Sequence, residues 1–115
     1  MHQTKEMQEC AKECSSCYEV CVTTLQHCLE KGGKHVEPAH VRLMTDCIEI
    51  CRTSASFLLR GSALHQATCR ACAEICRKCA EDCRRFTGDK EMQVCADACE
   101  RCAKSCEKMS AAAAH

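Results

Sequence analysis

The chain has 115 residues, enough for one domain with a modest core and too few for two. Its 16 Lys and Arg balance its 16 Asp and Glu, which excludes the basic surplus of a nucleic-acid or anionic-membrane binder and the acidic surplus of a calcium buffer. Cysteine is the abnormal quantity: 16 residues, against 6 Leu, 3 Ile, 5 Val and 2 Phe. With so few ordinary core formers, the thiols themselves must fill the interior, since free cysteine packs as a small hydrophobe.

The first expected helix covers about residues 4–31. Thr4 is its N-cap and Gly32-Gly33 its end. Cys10, Cys14, Cys17, Cys21 and Cys28 are spaced by threes, fours or seven, so they share one helical face. The second is expected over about 37–60, with Pro38 in its first turn and Gly61 past its end. It carries Cys47 and Cys51, followed on the same face by Ser54 and Leu58. The third is expected over about 62–86, capped by Ser62 and striped by Cys69, Cys72, Cys76, Cys79 and Cys83. Gly88 separates it from the fourth, expected over about 89–109, with Asp89 as cap and Cys95, Cys99, Cys102 and Cys106 as stripe. The alanine-rich tail from Ser110 to His115 reads as a frayed low-complexity end. Connections this short force neighbouring helices to run antiparallel, which predicts a single all-α domain over 1–115, an up-down-up-down four-helix bundle with a cysteine-lined core.

Opposite the stripes lie Lys12, Glu13, Glu19, Arg52, Glu74, Lys78, Glu81, Asp97, Glu100 and Lys104, a solvated face. Val22, Leu29, Leu43, Ile48, Ile50 and Ile75 flank the stripes, either widening the buried surface or forming a subunit contact. Extending the stripes outward places Met7, His65 and Met109 at one end of the bundle. His40, Met44 and Met92 fall at the other, near Cys28, Cys47, Cys83 and Cys95. His40 and Met44 are one turn apart and offer a soft ion a path inward, so this end is read as the mouth, against plain packing of a bundle end. His27 is read as a surface histidine and His35 as a loop residue.

Four chemistries compete for the thiols. Disulfides within a helix fail on geometry, because residues three or four apart have Cβ atoms about 5–6 Å apart and a bridge needs about 3.5–4.5 Å. Pure packing would use leucine, which buries more. Zinc wants turns that wrap four ligands about one ion, and iron–sulfur clusters take their ligands from loops absent here. Copper(I) is soft and accepts the low coordination that facing sulfurs offer. Sixteen thiolates cannot be held in an apolar interior, so the unloaded core carries neutral thiols. Exchanging each S–H proton for Cu⁺ leaves its charge unchanged, and capacity approaches about one ion per cysteine with bridging sulfurs, or about half that without. The alternatives kept are a helical zinc buffer and a thiol redox sensor. No nucleophile, phosphate loop or nucleotide fingerprint suggests an enzyme.

The motif Cys-x3-Cys-x2-Cys-x3-Cys occurs at Cys10 to Cys21, Cys72 to Cys83 and Cys95 to Cys106. With the all-helical outline and an N-terminus lacking the apolar run of a signal peptide, it resembles the cytosolic branch of the bacterial copper storage proteins. The resemblance covers essentially the whole chain. It implies a cytoplasmic protein assembling as a homotetramer, with multiple Cu(I) ions bound inside the bundle, mainly by cysteine pairs within helices. It also implies all sixteen cysteines as ligands. The second helix departs from a full stripe, with Ser54 and Leu58 following Cys47 and Cys51 on its inward face, so copper should thin out near that helix's end. A copper chaperone is an expected partner; nucleic acid and membrane are not.

Overall fold

The computed structural model describes residues 3–112; residues 1, 2 and 113–115, which include half of the alanine-rich tail, lie outside the described part. Four helices follow one another: α1 (Lys5–Lys31), α2 (Pro38–Leu59), α3 (His65–Arg84) and α4 (Lys90–Ala112), with a 3-10 turn over Gly33–Val36. Among the described residues there is no strand.

The local signals act where the sequence puts them at three of the four starts. Thr4 is extended (φ −86°, ψ 168°), and its hydroxyl accepts from the Met7 amide at 3.1 Å. Pro38 occupies the first turn of α2, where its missing N–H costs nothing. The Asp89 carboxylate accepts from the Met92 amide at 3.3 Å. Gly32 ends α1 at φ 68°, returning its own amide to the Cys28 carbonyl at 3.0 Å.

The third helix differs from expectation. It begins at His65, and Ser62 is not its cap. Ser62 belongs to the turn that reverses the chain after Gly61 (φ 65°): its amide donates to Phe57 and its hydroxyl accepts from Leu64. Reversing direction this tightly uses residues 60–64 before a new helix can start. At the other end α3 stops at Arg84, and the chain turns through Phe86 to Gly88. The fourth helix instead outruns its expected end at 109 and reaches Ala112, consistent with the high helix propensity of alanine.

The helices form a square in which α1 meets α2 and α4, and α3 meets α2 and α4. Pairs such as Cys10 with Cys106 and Cys21 with Cys95 run in opposite senses along α1 and α4, and Cys47 with Cys76 and Cys51 with Cys72 do so along α2 and α3. The bundle is therefore up-down-up-down. Every cysteine is at most 1% exposed. Ala11, Ala73, Ala80, Ala96 and Ala103 sit beside the stripes and are also buried. Such small residues let the helices approach closely enough for thiols from opposite corners to meet.

The flanking aliphatics are less buried than the sequence suggests. Leu43, Ile48, Ile50 and Ile75 pack only partly against the core, and Leu29 is 56% exposed. One residue of helix is a rotation of about 100°, which carries Leu29 off the face that buries Cys28. No described helix is long and apolar enough to cross a membrane.

Candidate metal centre

Because adjacent helices are antiparallel, the four stripes interleave into layers along the bundle axis. Beginning at the end that holds the start of α1, the first layer is Cys10, Cys69 and Cys106, beside Ser54 (hydroxyl to Cys69 sulfur, 3.7 Å) and the fully buried Leu58. Next come Cys14, Cys51, Cys72 and Cys102. The Cys14 sulfur lies 3.5 Å from Cys106 and 3.7 Å from Cys102, and Cys72 lies 3.7 Å from Cys102. The middle holds Cys17, Cys21, Cys47, Cys76 and Cys99, with sulfur separations of 3.7–3.9 Å for Cys17–Cys99, Cys21–Cys99 and Cys47–Cys99. Cys95 joins this layer through Cys21 at 3.7 Å. All sixteen cysteines are unbridged.

Four-thiol groups recur through this column: Cys14, Cys72, Cys102 and Cys106; Cys17, Cys21, Cys47 and Cys99; Cys17, Cys47, Cys51 and Cys76; Cys51, Cys72, Cys76 and Cys102. They share members. Cys17 and Cys47 serve two groups, as do Cys51, Cys76, Cys72 and Cys102, so ions that each demanded four thiolates of their own could not occupy all of them. A column of shared sulfurs suits bridging ligation of a monovalent soft ion.

The thiols are protonated where ionisation would be costly. Burial pushes the Cys28 thiol up to about 11, helped by the nearby charges of Cys95 and Asp89. Hydrogen bonds with Cys17, Cys21 and Cys47, together with burial, hold the Cys99 thiol far above its ordinary value. Cys17 shares a hydrogen bond with Cys99, and Cys99 with Cys21 and Cys47, so a proton that leaves the column leaves a shared network and not one residue. Loading a metal must displace these protons.

The other end carries the softest mixed donors. The Met44 sulfur lies 3.6 Å from Cys79 and 3.7 Å from Cys83, and the Met92 sulfur 3.6 Å from Cys28. His40 Nε2 lies 3.4 Å from the Cys28 sulfur. Met44 and Met92 are fully buried and His40 is 2% exposed. The sequence named these three residues but not Asp82, whose carboxylate accepts from His40 Nδ1 at 2.5 Å. An ionised carboxylate can only accept, so it keeps the proton on Nδ1 and leaves the Nε2 lone pair facing Cys28, the arrangement that orients histidine ligands in metal sites. Asp82 comes just before Cys83, and only the packing of α3 against α2 reveals its partner. Phe86 closes the end, 4% exposed, its ring centroid 4.9 Å from His40 and 4.4 Å from His35.

One histidine departs from its sequence reading, and another keeps its place but gains a partner. His27 is not a plain surface residue: its Nε2 meets the Asp89 carboxylate at 2.9 and 3.1 Å, with its side chain 13% exposed. His35 lies in the 3-10 turn as a connecting residue, yet its Nε2 reaches the same Asp89 at 2.8 Å. Burial alone would raise the Asp89 carboxyl, but hydrogen bonds from His27, His35 and the Met92 amide outweigh it and hold it below the usual carboxylate range.

The profile of the copper storage proteins (Csp) matches residues 3–111. The chain belongs to the copper storage protein family. A solved protein from Nitrosospira multiformis is 45% identical, covering 93% of this chain and 96% of that one, with a TM-score of 0.88. The Cu(I)-bound copper storage protein BsCsp3 is 28% identical over 92% of this chain and 99% of its own, with a TM-score of 0.86; apo-Csp3 from Bacillus subtilis is also similar. The Streptomyces lividans copper storage protein Ccsp, loaded with 10 copper equivalents, is 29% identical over 93% of this chain and 85% of its own, with a TM-score of 0.80. No curated protein matches the chain.

Copper is thus the cargo of this fold, and the expectation of a cysteine-lined copper bundle stands. The structure brings all sixteen sequence-predicted cysteines into one interior. His40, Met44 and Met92 stand at one end of that interior, in contact with Cys28, Cys79 and Cys83. Complete burial of the thiols runs against a redox sensor, which works through accessible, low-pKa cysteines.

Proposed function

We propose that this copper storage protein holds its Cu(I) as a bridged column along the bundle axis, ligated by Cys10, Cys14, Cys17, Cys21, Cys28, Cys47, Cys51, Cys69, Cys72, Cys76, Cys79, Cys83, Cys95, Cys99, Cys102 and Cys106. His40, Met44 and Met92 complete the ligands at the mouth. The observation that carries this reading is the overlap of the four-thiol groups, in which the same sulfurs belong to successive clusters. Each Cu⁺ displaces one thiol proton, so a filled core has the charge of an empty one and avoids burying anions. The chain acts as a store and not as a catalyst, and the single domain spans the whole chain.

Location and assembly follow from the resemblance. A Streptomyces lividans relative is described as a cytosolic copper storage protein, and we place this chain in the cytoplasm with it. Exposed Leu29, Leu59, Leu64 and Val94 give its surface apolar area for self-association, which we take to be the tetramer expected of the family, loaded by a copper chaperone.

Anaerobic titration of the reduced protein with Cu(I), followed by sulfur-to-copper charge-transfer absorbance, tests the column. Uptake is expected to approach about one ion per cysteine, well above about one per two. Replacing Cys76 and Cys79 with alanine lowers that capacity while circular dichroism stays helical. A break near four ions, with zinc held equally well, would replace the copper column with a zinc buffer.

A further inference from the structure

Outside the thiol column, three elements meet at His27 near the end of α1, His35 in the 3-10 turn and Asp89 before α4. Both histidine Nε2 atoms converge on one carboxylate oxygen of Asp89, at 2.9 and 2.8 Å. The rings stand edge to face with centroids 5.7 Å apart, so they approach that oxygen from different sides. The opposite nitrogen of His27, Nδ1, lies 3.2 Å from the Glu91 carboxylate as an ion-pair contact. A carboxylate at this nitrogen is the kind of outer partner that orients a ligating histidine. Asp89 Oδ1 caps the Met92 amide and also lies 3.1 Å from His27 Nε2, so the carboxylate is anchored while its Oδ2 faces both rings.

Nitrogen and oxygen ligands bound to a tetrahedral zinc-type ion at about 2.0–2.1 Å lie about 3.3 Å from one another. The His27–Asp89 and His35–Asp89 separations therefore need to open by only a few tenths of an ångström to admit an ion. The donor chemistry differs from that inside the bundle. Two imidazoles and a carboxylate are borderline-to-hard ligands suited to divalent transition metals, whereas the thiolate and thioether interior suits Cu(I). Phe86 separates the two, touching His35 on one side and His40 on the other.

We infer that His27, His35 and Asp89 form a second metal site, for one divalent cation of the zinc type, with Glu91 as the residue that orients His27 and with an open position for water. The bound ion ties α1, the turn and α4 together at the mouth of the bundle. In the unloaded chain the same groups hold one another as a hydrogen-bonded cluster.

Cobalt(II) is the probe, because its spectrum reports the ligands. Protein already filled with Cu(I) is titrated anaerobically with Co(II). The expected result is one Co(II) per chain with d–d bands and no sulfur-to-cobalt charge transfer, displaced by one equivalent of Zn(II). The variant His35→Ala loses the bands while its circular dichroism and copper content stay unchanged, and Glu91→Gln weakens Co(II) binding by about tenfold. Sulfur charge transfer, meaning that cobalt has entered the column, or bands that survive in His35→Ala, would overturn the assignment. If His35→Ala fails to fold, the Glu91→Gln variant decides alone, because Glu91 is 65% exposed: unchanged Co(II) affinity there counts against the site.

Discussion

The two ends of the bundle are built from similar residue types but do different things with them. At one end Met7, His65 and Met109 line a surface groove with Thr4, Ser105 and Lys108. There the His65 ring gives its Nδ1 to the Ser62 carbonyl at 2.8 Å, and the column is closed by fully buried Leu58. At the other end His40 has its Nδ1 held by Asp82, leaving Nε2 toward Cys28, and two methionine sulfurs lie against Cys28, Cys79 and Cys83. A histidine spent on a backbone carbonyl staples a turn. One braced by a carboxylate is presented as a ligand. Residue type and position near a helix end do not distinguish these cases; the group on the second ring nitrogen does.

The largest effect that tests this comparison is a stability one at the closed end. Leu58→Ala should destabilise the unloaded protein by about 2–5 kcal/mol, measured by urea unfolding, because it removes a fully buried side chain and leaves a cavity. The volume-conserving Met44→Leu at the mouth should cost less than about 1.5 kcal/mol while impairing copper uptake. Equal stability losses with unaltered uptake in both would dissolve the distinction between plug and mouth.

Next in size is the rate of loading. Stopped-flow uptake of Cu(I) should slow by about tenfold in His40→Ala, equivalent to about 1.4 kcal/mol of barrier, and stay within about twofold in His65→Ala. The reverse ranking would move the mouth to the other end.

The smallest effect is on pH. Burial pushes the Cys28 thiol up to about 11 in the folded chain, from an ordinary value of 9.0. Below 9 both states are neutral and this residue adds no pH dependence. Between 9 and 11 the unfolded chain loses the proton and the folded one keeps it, so stability falls as pH rises, by about 1.4 kcal/mol per unit for such a thiol. Urea midpoints of reduced apo-protein at pH 8 and 10 check the sign; the Cys28→Ala variant should show a shallower decline, and an unchanged slope would mean that the mouth thiol is already open to water.

Much of this architecture was legible in the chain itself. Cysteine spacing set four inward stripes, and Thr4, Gly32, Pro38, Gly61, Gly88 and Asp89 marked the turns between them. These are local signals: helical period and capping act over three or four residues, so a sequence displays them directly. Ser62 misled for the same reason, because it has the chemistry of a cap but is held in a chain reversal by Phe57 and Leu64. Of the two places the sequence allowed Leu29, the core is excluded, because the helix turns it to solvent although its neighbour Cys28 is buried.

By itself, then, the sequence determined the fold class, the four thiol stripes and the soft character of the cargo, since each follows from residue type and short-range spacing. Only the tertiary structure decided which sulfurs share a layer, that His40 leans on Asp82 across 42 residues, and that His27 and His35 meet at Asp89 across 62 and 54 residues. Those pairings depend on the relative height of helices packed side by side. The register is set by how turns such as 60–64 and 85–89 spend their residues, and no local pattern encodes it.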